Sequence, residues 1–212
     1  MKLKKKVKNS FIIILIVLAI ILGFFSFKDK LFGDKEEVKE IKVVNKIEKY
    51  GYNLKENKPK EYKKMFEELK KILSEKEVDE EAYVKKITEM FIYDFYSLND
   101  KTAKTDIGGV EFVYGGDFLP NFLQNAQDTY YKYVENNIYN NRKQQLPIVS
   151  ASDIEIVSVT QEPFAYGDQT DEKAYKVNVK WGYTDSEFST YQKEADIVFI
   201  HDDIKLSLVE LQ

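Results

Sequence analysis

AYKVNVKWGY, residues 174–183, alternates apolar and polar side chains: Tyr175, Val177, Val179, Trp181 and Tyr183 fall on one face, Lys176, Asn178 and Lys180 on the other. Successive side chains of an extended chain point to opposite faces, so the stretch reads as a strand with one buried side. Residues 153–162, 190–200 and 204–211 read as its companions. The connections PFAYGDQTDE, TDSEFS and HDD hold turn-forming residues and are short enough for antiparallel neighbours. A four-stranded antiparallel meander is expected to close the chain.

Upstream of Pro147 the period is helical. Pro59 opens a helix where its missing N–H costs nothing, and Tyr62, Met65, Phe66, Leu69, Ile72 and Leu73 follow at helical spacing. A second helix begins near Asp79, with Asp79, Glu80 and Glu81 complementing the dipole of its first turn, and runs to about Leu98. The third is expected from about Leu119 to Asn140, burying Phe122, Ala126, Tyr130 and Tyr133, with Ile138 at the margin. Between the last two lies SLNDKTAKTDIGGVEFVYGGDF, residues 97–118, which reads as loop, short strand (VEFVY) and loop. Helices first and sheet last is an α+β order, with three helices packed on one face of a curved four-stranded antiparallel sheet.

At the other end, Phe11 to Phe27 reads FIIILIVLAIILGFFSF, seventeen residues without a charge. As a helix it spans about 25 Å against a hydrocarbon core of about 30 Å, and Lys8 and Lys28 can snorkel across the difference. A cleaved signal peptide would end in small residues. Here Phe24, Phe25 and Phe27 occupy that place, so an uncleaved transmembrane anchor is expected. The basic tail 1–10 holds five lysines and no acid, which favours a cytoplasmic N-terminus and an exported domain. Residues 28–58 read as a charged stalk joining the domain near Ile47, where IEKYGYNL can dock as an extended piece. Residues 59–212 form the extracytoplasmic domain.

Composition narrows the chemistry. In 212 residues, 43% are hydrophobic and 14% aromatic, which implies one packed domain plus an appendage. With no cysteine, disulfides, zinc–thiolate sites and cysteine nucleophiles are excluded. Residues 28–212 carry 27 basic against 36 acidic side chains, a poor balance for binding nucleic acid. No phosphate loop, nucleophile elbow or zinc-protease motif is present, and no cofactor or metal is expected. His201, beside Asp202 and Asp203, reads as a solvated turn residue. The pairs Gly108–Gly109 and Gly115–Gly116 read as turn geometry.

Asp94 stands apart. At 100° per residue it lies about 20° from Ile87, inside the apolar stripe of the second helix between Met90 and Leu98. A carboxylate there must find donors or take up a proton, because burying it unpaired costs several kcal/mol. Two roles stay open: a structural cap on the Thr102–Gly109 loop, or a ligand-binding acid in the interior. Catalysis would need a second acid or a histidine nearby, so the chain is not expected to be an enzyme.

Helices followed by four strands behind one anchor resemble the cone-shaped nuclear transport factor 2-like fold, over about Pro59 to Leu211. Membrane-anchored assembly-factor subunits of type IV secretion and conjugation machines share that fold. IEKYGYNL, FIYDFYSLNDKTAKTDIGGVEFVY and YKYVENNIYNNRKQQLPIV are similar to a family of uncharacterised single-pass proteins from low-GC Gram-positive bacteria. A single arginine, Arg142, among abundant Lys, Ile, Asn and Tyr agrees with an AT-rich genome. The resemblance implies a non-enzymatic interaction or assembly module of the cell envelope, with other envelope or secretion proteins as partners. The alternative is a small-ligand-binding domain using the cone interior around Asp94.

Overall fold

The computed structural model describes residues 41–116 and 118–212. The basic tail, the apolar span Phe11–Phe27 and stalk residues 28–40 lie outside the described residues. Among the described residues no helix is long and apolar enough to cross a membrane. A compact α+β unit runs from Lys42 to Gln212, with three α-helices, a four-stranded antiparallel sheet and a small two-stranded one.

The small sheet is a hairpin of β1 (Val43–Ile47) and β2 (Tyr52–Lys55), turning at Gly51 with φ 69°. Ile47, Tyr50, Tyr52 and Leu54 are buried. The stretch 42–58, read as the end of a stalk with IEKYGYNL docking on the domain, is part of the folded unit. Its lysines and glutamates face water, except Lys58, while Ile47, Tyr50, Tyr52 and Leu54 enter the core.

α1 (Lys60–Ser74) buries Tyr62, Met65, Phe66, Leu69 and Leu73 and shows its charged face to solvent. α2 (Glu80–Tyr96) is capped by Asp79, whose Oδ1 accepts from Ala82 N at 3.0 Å. Every residue from Met90 to Tyr96 is buried, so the C-terminal half of α2 is enclosed on all sides. α3 (Phe118–Asp128) buries Phe122 and Ala126 but ends well before the expected Asn140. Beyond it Tyr131 and Val134 turn inward, whereas Tyr133 and Ile138, expected in the core, are exposed. VEFVY is a 3-10 turn, Val110–Phe112, with Val113 bridging in parallel to Leu208, rather than a strand.

The large sheet is an antiparallel meander, β3 (Val149–Tyr166), β4 (Gln169–Tyr183), β5 (Glu194–Asp202) and β6 (Lys205–Leu211), in that spatial order. Most of PFAYGDQTDE is strand, and only Gly167–Asp168 turns between β3 and β4. Val177 pairs with Val159 on one side and Ile197 on the other. The helices pack on the face of Val177, Val179, Trp181, Ile197, Phe199 and Leu208, so the interior is filled by large side chains. The opposite face carries a small cluster of Ala174, Val198, Ile200 and Val209, sheltered by Tyr114, Phe164 and Tyr166.

Candidate functional site: the Asp94 junction

Asp94 sits in the last turn of α2, 2% exposed, and both of its oxygens are taken. Oδ1 accepts from Lys101 Nζ at 2.9 Å. Oδ2 accepts from Lys58 Nζ at 2.5 Å and from the backbone N–H of Gly109 at 2.8 Å. Lys101 is 3% exposed and also reaches Asp100 at 2.8 Å, so two ammonium groups meet two carboxylates. The junction joins the chain before α1, the end of α2, and the loop that follows it.

Backbone proximity makes this possible. A Cβ on Gly108 would lie 2.1 Å from the Asp94 carbonyl oxygen, and one on Gly109, at φ 70°, would lie 2.6 Å from the Phe91 ring. The first glycine pair is thus a close-approach site as well as the turn expected of it. The N–H of Gly108 donates to the Tyr131 hydroxyl at 3.1 Å, and that hydroxyl donates to the Phe95 carbonyl at 2.7 Å. Tyr130 donates to the Tyr96 carbonyl at 3.0 Å. Neighbouring tyrosines thus satisfy carbonyls that the end of a helix leaves without partners.

Electrostatics agree with the geometry. Burial pushes the Asp94 carboxyl up, but Lys101 and Lys58 outweigh it and bring it down to about 2. Burial likewise pushes the Lys101 ammonium down, and Asp94 with Asp100 overcomes it, so its pKa ends well above the ordinary value. Both partners are held charged. An acid poised to exchange protons near neutral pH would need the opposite shift, and Asp94 is instead a saturated ionic acceptor.

No family model, curated protein or solved structure matches the chain. Of the two roles open for Asp94, the cap on the Thr102–Gly109 loop is the one whose bonds are present. Lys58, Lys101, Gly108 and Tyr131 complete the junction, and apart from the glycine pair no local pattern in the sequence singles them out. Burying a carboxylate at position 94 requires cations, which is the signal that could have pointed to Lys101, seven residues on.

His201 departs from expectation. It belongs to β5, where its backbone N–H and Nδ1 approach Asp171 Oδ2 at 2.7 and 2.8 Å and its Nε2 lies 3.5 Å from Glu80. Tyr175 donates to the same Glu80 oxygen at 3.1 Å. This polar latch ties the start of α2 to the sheet. Among the described residues no group of three or more His, Cys, Asp or Glu side chains has the arrangement to hold a metal ion.

An open cleft of about 460 Å³ lies beside α3. Phe95, Tyr96, Phe122 and Tyr130 form its apolar wall, and Asn125 and Gln212 are on its polar side. Asp94 does not line it.

Proposed function

We propose that this chain is a non-enzymatic interaction or assembly module of the bacterial cell envelope, anchored by Phe11–Phe27 and exposing its Lys42–Gln212 domain outside the cell. The observation that carries this reading is the saturation of Asp94. The one carboxylate placed in the apolar stripe holds three donors and a depressed pKa, and large side chains fill the space around it. An interior built this way supports a domain that works through its outer surface. We read the helices and meander as a filled form of the nuclear transport factor 2-like cone.

Cross-linking the tagged full chain in native membranes, followed by co-purification, tests the proposal. One or more envelope proteins should be recovered at a defined ratio, and protease added to intact cells should remove the domain. Recovery of the chain alone, or a domain protected from protease, overturns the reading.

The cleft beside α3 favours a second reading, a small-ligand-binding domain. Its aromatic wall, with Glu210 among the amides of its rim, suits an uncharged ligand that donates hydrogen bonds, located away from Asp94. Trp181, the single tryptophan, packs at 4.4 Å centroid separation on Tyr96 of that wall and offers an intrinsic fluorescence probe of occupancy. Unchanged Trp181 emission across a panel of uncharged cell-wall fragments removes this alternative.

A further inference from the structure

The segment between α3 and β3 combines a fixed backbone with displayed apolar side chains. Tyr133, Ile138 and Tyr139 are 74%, 63% and 75% exposed. Arg142 holds the loop that carries them, donating to the carbonyls of Lys101 at 2.8 Å, Asn99 at 2.7 Å and Glu135 at 3.2 Å. Gln144 closes its base by donating to the Tyr133 carbonyl and accepting from Glu135 N. The N–H of Asn137 reaches the Thr102 carbonyl at 2.7 Å. These large apolar side chains are held outward by a built frame, the pattern of a contact surface.

The location of the loop identifies the contact. Arg142 binds it to Asn99 and Lys101, immediately past the end of α2. The chain enters the domain at the same end: Lys42 O accepts from Glu56 N at 2.8 Å, and two residues later Lys58 meets Asp94. In sequence only fourteen residues, 28–41, separate Phe27 from Lys42, a reach of about 50 Å when fully extended. The start of β4 lies at the other end of α2, where Glu80 meets Tyr175 and His201 meets Asp171.

We propose that Tyr133, Ile138 and Tyr139, with Lys132 and Lys143 beside them, rest in the headgroup layer of an anionic bilayer and set the orientation of the domain on it. This rests on the anchored reading of Phe11–Phe27. Three side chains on one loop fall far short of the roughly 800 Å² per partner of a stable protein interface. A bilayer surface requires no matching shape, and it accepts amphipathic tyrosines next to snorkelling lysines. The local charge fits: residues 129–145 hold three cations and one acid, whereas residues 28–212 hold 27 basic and 36 acidic side chains. Tethering raises the effective concentration into the millimolar range, so a weak contact suffices.

The chain has no cysteine, so single labels are readily placed. Full-length Asn141→Cys and Glu172→Cys proteins carrying an environment-sensitive fluorophore are inserted into nanodiscs containing phosphatidylglycerol and a headgroup-depth spin-labelled lipid. Loss of fluorescence is expected at position 141 and not at 172. Replacing Tyr133, Ile138 and Tyr139 together by Ser should abolish that loss while Trp181 emission and co-elution with the discs are kept. Lys132→Glu with Lys143→Glu should weaken it. Unquenched fluorescence at 141, or equal quenching at both positions, overturns the proposal while leaving the anchor standing. A chain that fails to co-elute with the discs overturns the anchor and this inference together. If position 141 is shielded only when a purified envelope protein is added, the loop is a protein site and the membrane assignment is wrong.

Discussion

The two ends of α2 are both held by ionisable side chains, under opposite conditions. At the C-terminal end Asp94 and Lys101 are 2% and 3% exposed, and each charge has its counter-charge within hydrogen-bond reach. At the N-terminal end Glu80 and His201 are 52% and 31% exposed and 3.5 Å apart. Buried charges gain from close pairing because the loss of one partner strands the other in a medium that cannot solvate it. Half-exposed polar groups always have water as an alternative. The same helix thus carries one junction that the fold depends on and one that trims it.

The widest separation between the ends comes from deleting the buried acid. Asp94→Ala leaves Lys58, Lys101 and the Gly109 N–H without their acceptor and should cost about 3 to 5 kcal/mol. Asp94→Asn keeps an acceptor for Gly109 but no charge for the lysines, so it should recover only a minor part. Urea unfolding of the three proteins measures both values. A loss for Asp94→Ala below about 1 kcal/mol would contradict a structural junction.

Next in size is Gly108→Ala, which tests the close approach rather than the charge. The added Cβ would sit 2.1 Å from the Asp94 carbonyl oxygen, a backbone atom of a buried helix that cannot swing aside. Overpacking of this kind should cost about 2 to 3 kcal/mol. Gly115→Ala is the control, because a Cβ there would meet nothing within 4 Å. Equal melting temperatures for the two variants would refute the tight packing at 108.

A third test uses acid. The Asp94 pKa is lowered from an ordinary 3.8 to about 2 in the folded state, so its contribution is complete above 3.8 and is lost as pH falls toward 2. Roughly 2 kcal/mol is at stake over that window. Other carboxylates titrate there as well, so the measured quantity is the difference in slope between the parent and Asp94→Ala, taken from urea unfolding at several values between about pH 5 and pH 2.5. The parent should lose stability more steeply. Parallel slopes would mean that Asp94 has no depressed pKa.

How much of this is legible in the sequence depends on where the partners sit in the chain. The alternation around Val177 and the stripe around Ile87 are local patterns, and both elements are present. Asp94 inside the stripe is equally visible. Its partners are less so: Lys58 precedes it by 36 residues, and Gly109 follows by 15, so only the folded chain brings them together. The periodicity carries α3 too far because apolar spacing continues past Asp128 without a proline or glycine. What ends the helix is tertiary: the Tyr131 hydroxyl is bonded to both Gly108 and Phe95, a position that continued helix does not supply. HDD has the composition of a turn and draws His201 into it, yet the strand runs through Asp202 and Asp203 takes the positive φ of 57°.

The smallest expected effect lies at the exposed end and sharpens the contrast most directly. Burial pushes the Asp171 carboxyl up, but the backbone N–H groups of His201 and Lys173, followed by the His201 side chain, bring it below the ordinary range. The two backbone donors, at 2.7 and 2.9 Å, survive any replacement of the His201 side chain. His201→Ala therefore removes a half-exposed ring from an acid that keeps most of its donors, and should cost no more than about 1 kcal/mol. Asp171→Ala instead strands both N–H groups, and should cost about 1 to 3 kcal/mol, more than the histidine variant. Thermal melts of the two proteins rank them. If His201→Ala proved as damaging as Asp94→Ala, exposure would not be what separates the two ends of α2, and the latch would have to be treated as a second structural centre.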